Sequence, residues 1–139
     1  MQTILRILER AGGYRPTLYL KIENLPYMAL VIEATPEPGP LGAASISVAH
    51  YGEQNGDLMR DPEMCFELAK LPRCGLWLSA YYYRNDYVGV EQYSRYRGGG
   101  NYVFLPDLHE QHETFAEQWD RNLREQGFLE AFADQSIRG

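Results

Sequence analysis

The residues from Ser45 to Ala69 constrain the fold more than any other part of the chain. Ile46, Val48 and His50 alternate on one side of a strand pattern in Ser45–Tyr51. Met64, Phe66 and Leu68 do the same in Glu63–Ala69. Between them stands Asn55-Gly56, the strongest short signal for a two-residue hairpin turn. A turn closed there pairs residues whose numbers sum to 111, which sets Val48 against Glu63 and Ile46 against Cys65. A sum of 112 sets Val48 against Met64 and Ile46 against Phe66, apolar on apolar. A one-residue slip moves every side chain to the other face. The sequence therefore asks for a bulge or an irregular loop within residues 52–62, not a simple two-residue hairpin. Asp61-Pro62 is the natural place, because proline cannot donate to a ladder.

The flanking segments follow the same logic. Residues 3–11 predict a short helix capped by Thr3, with Ile4, Leu5, Ile7 and Leu8 on one face and Gly12-Gly13 as its stop. Thr17–Glu23 and Tyr27–Glu33 alternate on either side of Asn24-Leu25-Pro26, an antiparallel hairpin. Thr35–Gly42, with three prolines and two glycines, is a loop. Leu76–Tyr83 and Tyr87–Tyr96 predict a long tyrosine-rich hairpin about Arg84-Asn85-Asp86, followed by a flexible Gly98-Gly99-Gly100 loop and a short strand over 102–105. Pro106 or Asp107 opens a last helix with Leu108, Phe115, Trp119 and Leu123 on one face. Gly127 ends it, and residues 128–132 form a helical tail. The expected fold is α+β: an antiparallel sheet of about six or seven strands in consecutive hairpins, with an N-terminal and a C-terminal helix covering one side. At 139 residues the chain is expected to be a single domain, 1–139, able to bury its own core.

Charge narrows the function classes. The net charge is -6, against the basic total usual for nucleic-acid binding. The distribution is uneven: from Lys70 to Arg97 five basic residues (Lys70, Arg73, Arg84, Arg95, Arg97) face two acids (Asp86, Glu91), about +3, leaving about -9 elsewhere. Cys65 and Cys74 form no close-spaced metal-ligand pattern and read as reduced thiols. No apolar run reaches membrane-spanning length, and Arg6, Glu9 and Arg10 break any signal-peptide core, so a cytoplasmic protein without a membrane partner is expected. Walker A, GxGxxG and GxSxG motifs are missing. No cofactor is called for.

Two stretches carry the candidate site residues. His50, Tyr51, Glu53, Asn55, Asp57, Asp61 and Glu63 surround the central turn. A histidine among carboxylates suits a divalent cation or acid–base chemistry, provided the side chains converge. The plainer expectation is a polar turn. Laying the EF-hand template on it puts Tyr51 and Pro62 at ligand positions, which excludes that site type. Tyr82, Arg84 and Arg95 belong to the tyrosine hairpin, which could stack single-stranded bases or form a protein-binding face, tyrosine and arginine being common hot-spot residues. His109-Glu110-Gln111-His112-Glu113 has its histidines three apart, not the four of the zinc motif, and reads as a charged first helical turn with no metal.

One family signature stands out. Leu20-Lys21-Ile22-Glu23-Asn24 with Pro26-Tyr27-Met28, then Ile46–Tyr51 and Glu53-Gln54-Asn55-Gly56-Asp57-Leu58-Met59 through Asp61-Pro62-Glu63-Met64, resembles a bacterial domain family of unknown function found on plasmids, integrative elements and phage-like regions. The resemblance covers roughly residues 16–105. It departs where relatives often place two tyrosines after the histidine and this chain has Tyr51 then Gly52. It implies a small cytosolic protein carried by mobile DNA and transfers no catalytic residue. The leading expectation is a non-enzymatic accessory domain with a protein partner, contacting it through the central loop and the tyrosine hairpin. The alternatives are a single-stranded nucleic-acid module and a metal-dependent enzyme using the acidic loop. An exposed sheet edge or the tyrosine face offers a route to a homodimer.

Overall fold

A computed structural model describes residues 1–73 and 75–138, with side chains to Ser136; Cys74, expected to be a reduced thiol, lies outside the described residues. The chain runs α1 (Gln2–Arg10), β1 (Tyr19–Asn24), β2 (Tyr27–Ala34), β3 (Ser45–Gln54), β4 (Asp57–Leu71), β5 (Gly75–Asn85), β6 (Val90–Tyr93), β7 (Arg95–Gly98), β8 (Asn101–Phe104), α2 (Pro106–Glu125) and α3 (Phe128–Arg138). Strands β1 to β6 form one antiparallel sheet in sequence order, and β7 pairs with β8 in a second. The fold is α+β, as the alternation predicts.

Both candidate registers of the central hairpin are present. Gln54 pairs with Asp57 and Tyr51 with Arg60, on the sum of 111; Ala49 pairs with Glu63, Val48 with Met64 and Ile46 with Phe66, on the sum of 112. Asn55 (φ 54°) and Gly56 (φ 83°) make the tight turn, where two left-handed residues match the twist of the strands. The extra residue is absorbed at Asp61-Pro62, joined by a cis peptide bond, opposite His50. The expectation of a bulge there is met. The expectation that it would replace the two-residue turn is corrected: the chain uses both.

The bulge keeps one face apolar. Ile22, Leu30, Ile32, Ile46, Val48, Met64, Phe66, Leu78 and Ala80 form its buried floor. Ile4, Ile7 and Leu8 of α1, Ala116, Trp119 and Leu123 of α2, and Phe128 and Phe132 of α3 close over it. We call this the inner face. Glu63, Cys65 and Glu67 alternate onto the outer face.

Four local expectations are corrected. Thr3 is not the cap of α1, which starts after Met1; Thr3 is buried, and its amide and hydroxyl both donate to the Asp120 carboxylate of α2, at 3.0 and 3.3 Å. The helix end is thus capped in trans. The strand expected over 87–96 breaks at buried Ser94, whose amide donates to Tyr81 O while its carbonyl accepts from Leu105 N. The chain there leaves the main sheet for β7. The glycine run is no flexible loop: Gly98 pairs with Asn101, and Gly99 and Gly100, both at positive φ, form the hairpin turn. On α2 the buried stripe is His112, Ala116, Trp119 and Leu123, while Phe115 is partly exposed and Leu108 half-buried.

Candidate interaction surface

The central turn and the tyrosine hairpin, separate in sequence, are clasped together. Asp86 N–H donates to Arg60 O at 2.9 Å, and Arg60 N–H donates to Asp86 Oδ2 at 2.8 Å. This reciprocal pair joins the start of β4, beside the Asn55-Gly56 turn, to the β5–β6 turn. Arg84 Nε donates to Asp86 Oδ1 at 2.6 Å, and Arg84 Nη1 lies 3.4 Å from Glu91. Asn85 Nδ2 donates to Asp61 Oδ1 at 2.8 Å. On the other side of β3, the Tyr87 hydroxyl fills the space beside Gly52 so closely that any Cβ there would lie 2.5 Å from it. Gly52 is therefore the seat of a residue from the β5–β6 hairpin.

Both arginines of this clasp are ion-paired. Arg60 Nε lies 3.2 Å from Glu63 Oε1 and Arg60 Nη1 3.8 Å from Asp86 Oδ2, while its guanidinium sits 5.9 Å over the Tyr51 ring. Ser47 Oγ donates to Glu63 Oε2 at 2.6 Å. The Arg60 amide, and after it Arg84, hold the Asp86 carboxyl below its usual range. Tyr82, buried and packed at a tilt against Tyr93 with centroids 4.8 Å apart, donates its hydroxyl to Glu91 at 2.9 Å. Burial pushes the neighbouring Cys65 thiol up to about 12, so the free thiol stays protonated at neutral pH.

The structure divides the predicted site residues into three groups. Tyr51, Asp61, Glu63, Tyr82 and Arg84 meet in the clasp. Glu53, Asn55 and Asp57 stand exposed at the turn. His50 and Arg95 are elsewhere, and both are corrected as contact residues. His50 faces the core, packed against Trp119 and Phe128, with Nδ1 donating to Met28 O at 3.1 Å; burial holds its pKa below the usual value. Arg95 is buried, with Nη1 on Glu67 Oε1 at 3.0 Å and Nη2 on Ser79 O at 3.1 Å. The acid cluster does not converge: His50 and Glu63 are on opposite faces, and no three His, Cys, Asp or Glu among the described residues are placed to hold a metal ion. The arginines of the single-strand reading are engaged as well. Arg84 and Arg95 are ion-paired, and Arg97 donates through Nε to Pro40 O at 2.8 Å.

Sequence reasoning missed His112. It is no solvated helical residue: it is buried, with Nδ1 2.9 Å from Ser94 Oγ and Nε2 3.1 Å from Gln92 Oε1, and its ring lies against Tyr83. The signal was present, because on α2 position 112 falls four before Ala116 and seven before Trp119, on the apolar stripe.

The surface left outward by the clasp is apolar in an acidic frame. Leu58 is 65 % exposed at the tip of the β3–β4 hairpin and Val88 69 % at the tip of the β5–β6 hairpin, which also carries the partly exposed Tyr87 and Tyr93. Six carboxylates (Glu53, Asp57, Asp61, Glu63, Asp86, Glu91) stand against two guanidiniums (Arg60, Arg84), a balance of -4. An open groove of about 450 Å³ continues along the outer face from Leu58 and Tyr51 to Tyr19 and Lys21.

The family model described as Domain of unknown function (DUF6908) matches residues 2–129. The chain belongs to the DUF6908 family. That match takes in every strand, the whole clasp and the start of α3, while the rest of α3 lies beyond it. Neither the curated proteins nor the solved structures contain a match to the chain. The DUF6908 chain has no helix, among its described residues, long and apolar enough to cross a membrane.

Proposed function

We propose that this protein is a non-enzymatic interaction domain whose partner is a protein carrying basic and apolar side chains. The observation that carries this reading is the Arg60–Asp86 clasp, which joins two hairpin ends into one surface and leaves Leu58 and Val88 outward. Exposed apolar side chains in a charged rim suit partner contact, and the clasp lowers the ordering entropy such contact would otherwise cost. Acidic surroundings favour a basic partner and disfavour nucleic acid, whose phosphates would meet like charge. The resemblance adds the setting: a bacterial, cytoplasmic protein of mobile-element origin.

The test is affinity capture with the wild type and with Leu58→Glu/Val88→Glu, both melted first to establish equal folding. The partner retained by the wild type is expected to be lost by the variant by at least tenfold, and to elute as salt rises. A partner held equally by both proteins would overturn the reading.

A further inference from the structure

β1 is an edge strand, paired with β2 alone, and the Gln135 side chain sits across its free edge. Ala34 N–H donates to Leu18 O at 3.0 Å, which fixes the parity: even-numbered residues of this segment turn their backbone groups toward β2. The backbone groups of Tyr19, Lys21 and Glu23 therefore point away from the sheet. Gln135, near the end of α3, meets two of them. Glu23 N–H donates to Gln135 Oε1 at 3.2 Å, and Gln135 Nε2 donates to Lys21 O at 2.7 Å. A carboxamide has the same donor and acceptor as a peptide group. Here it occupies the two groups that an added strand would use, one of the ways proteins block edge-to-edge pairing.

We infer that β1 is a self-pairing edge held closed by Gln135, and that lifting this side chain lets β1 pair antiparallel with β1 of a second copy. The occupant follows from the charges. With Ile22 opposite Ile22 on a two-fold axis, Lys21 stands opposite Glu23 of the other copy, and Glu23 opposite its Lys21. These two side chains already sit 3.3 Å apart within one chain, both exposed on the outer face. They exchange an internal ion pair for two across the interface. In that register the hydrogen-bonded pair is Lys21 with Glu23, so the new bonds use Lys21 O and Glu23 N–H, the groups that Gln135 covers. A register one pair away would set Lys21 against Lys21, where like charges directly opposite are destabilising. The two-fold contact is self-complementary, as a closed dimer requires.

Only the end of α3 has to move. Phe128 and Phe132 anchor its first turns in the core, and the family match ends at residue 129, before Gln135. The edge thus belongs to the part matched by the family model, and the cover to the part beyond it. This site uses a different region of the sheet from the Arg60–Asp86 surface and does not rest on the function proposed for it.

The test is sedimentation of the full chain across a concentration series. Gln135→Ala is expected to dimerise at least tenfold more tightly than the wild type, since each copy gives up two hydrogen bonds that compete with pairing. Gln135→Glu keeps the size, loses the donor to Lys21 O and moves in the same direction. Adding Lys21→Glu to Gln135→Ala returns the protein to monomer, and adding Glu23→Lys as well restores the dimer. Equal association by wild type and both Gln135 variants, at unchanged melting temperature, overturns the inference. So does a Gln135→Ala dimer that ignores Lys21→Glu, because the contact would then lie elsewhere.

Discussion

Replacing Glu67 with alanine is expected to lower the unfolding free energy by about 3–5 kcal/mol, measured by denaturant titration. The carboxylate lies on the outer face of β4, buried, and holds three groups at once. Oε1 meets Arg95 Nη1 at 3.0 Å; Oε2 accepts from Leu41 N–H at 2.8 Å and from Ala43 N–H at 3.1 Å. The 35–44 loop and the β7–β8 hairpin are thus tied to the main sheet through one side chain. Gly39 packs against it so closely that a Cβ would lie 2.5 Å from Glu67 Cδ. Alanine leaves the Arg95 guanidinium buried without its counter-charge and two loop amides without an acceptor. An isolated buried charge is what makes such a substitution costly, more than the attraction lost. Arg95→Met is expected to be costly for the mirror reason, and the double variant to cost clearly less than the two singles added together. A loss below about 1 kcal/mol for Glu67→Ala would contradict this account.

Acid weakens the fold through His112. Burial, and secondarily the neighbouring His109, lowers its pKa from 6.5 to about 4. The contacts explain why the neutral ring is favoured: Ser94 Oγ–H donates to Nδ1, and Nε2–H donates to Gln92 Oε1, a pairing complete without a second proton. The folded pKa is below the unfolded one, so the unfolded chain binds more protons as pH falls. The contribution is therefore whole above pH 6.5, is lost as pH drops through 6.5, and levels off near 4. At about 1.4 kcal/mol per pH unit, this group removes roughly 2 kcal/mol between pH 7 and pH 5. His50 acts in the same direction. Denaturant titrations at the two pH values should show His112→Gln losing about 2 kcal/mol less than the wild type. Equal losses in both proteins would remove His112 as the cause.

The inner face was readable because its constraint is one of parity. Val48 must meet Met64 and the turn must sit at Asn55-Gly56; a residue has to be absorbed between them, and only Asp61-Pro62 offers a place that costs no ladder bond. The strand breaks and caps were less readable, since they depend on residues far away in sequence. Thr3 resembles a cap by composition, yet its partner Asp120 stands 117 positions on. Ser94 looks like one more strand residue until Tyr81 and Leu105 are brought to it. The candidate surface was half legible. Each hairpin end could be named from its own polar residues, but no spacing relates Arg60 to Asp86. Arg95 was hard to place because a charged residue in a strand reads as outward until its burial is known, whereas the burial of His50 follows from the face it shares with Ile46 and Val48.

The claim that the two hairpin ends form one functional surface is tested most directly by amide hydrogen exchange on the protein free and bound to its captured partner. The account predicts protection appearing together over residues 53–60 and 86–93, with β1 and the exposed face of α2 unchanged. Protection confined to one hairpin, or falling on α2 alone, would contradict it.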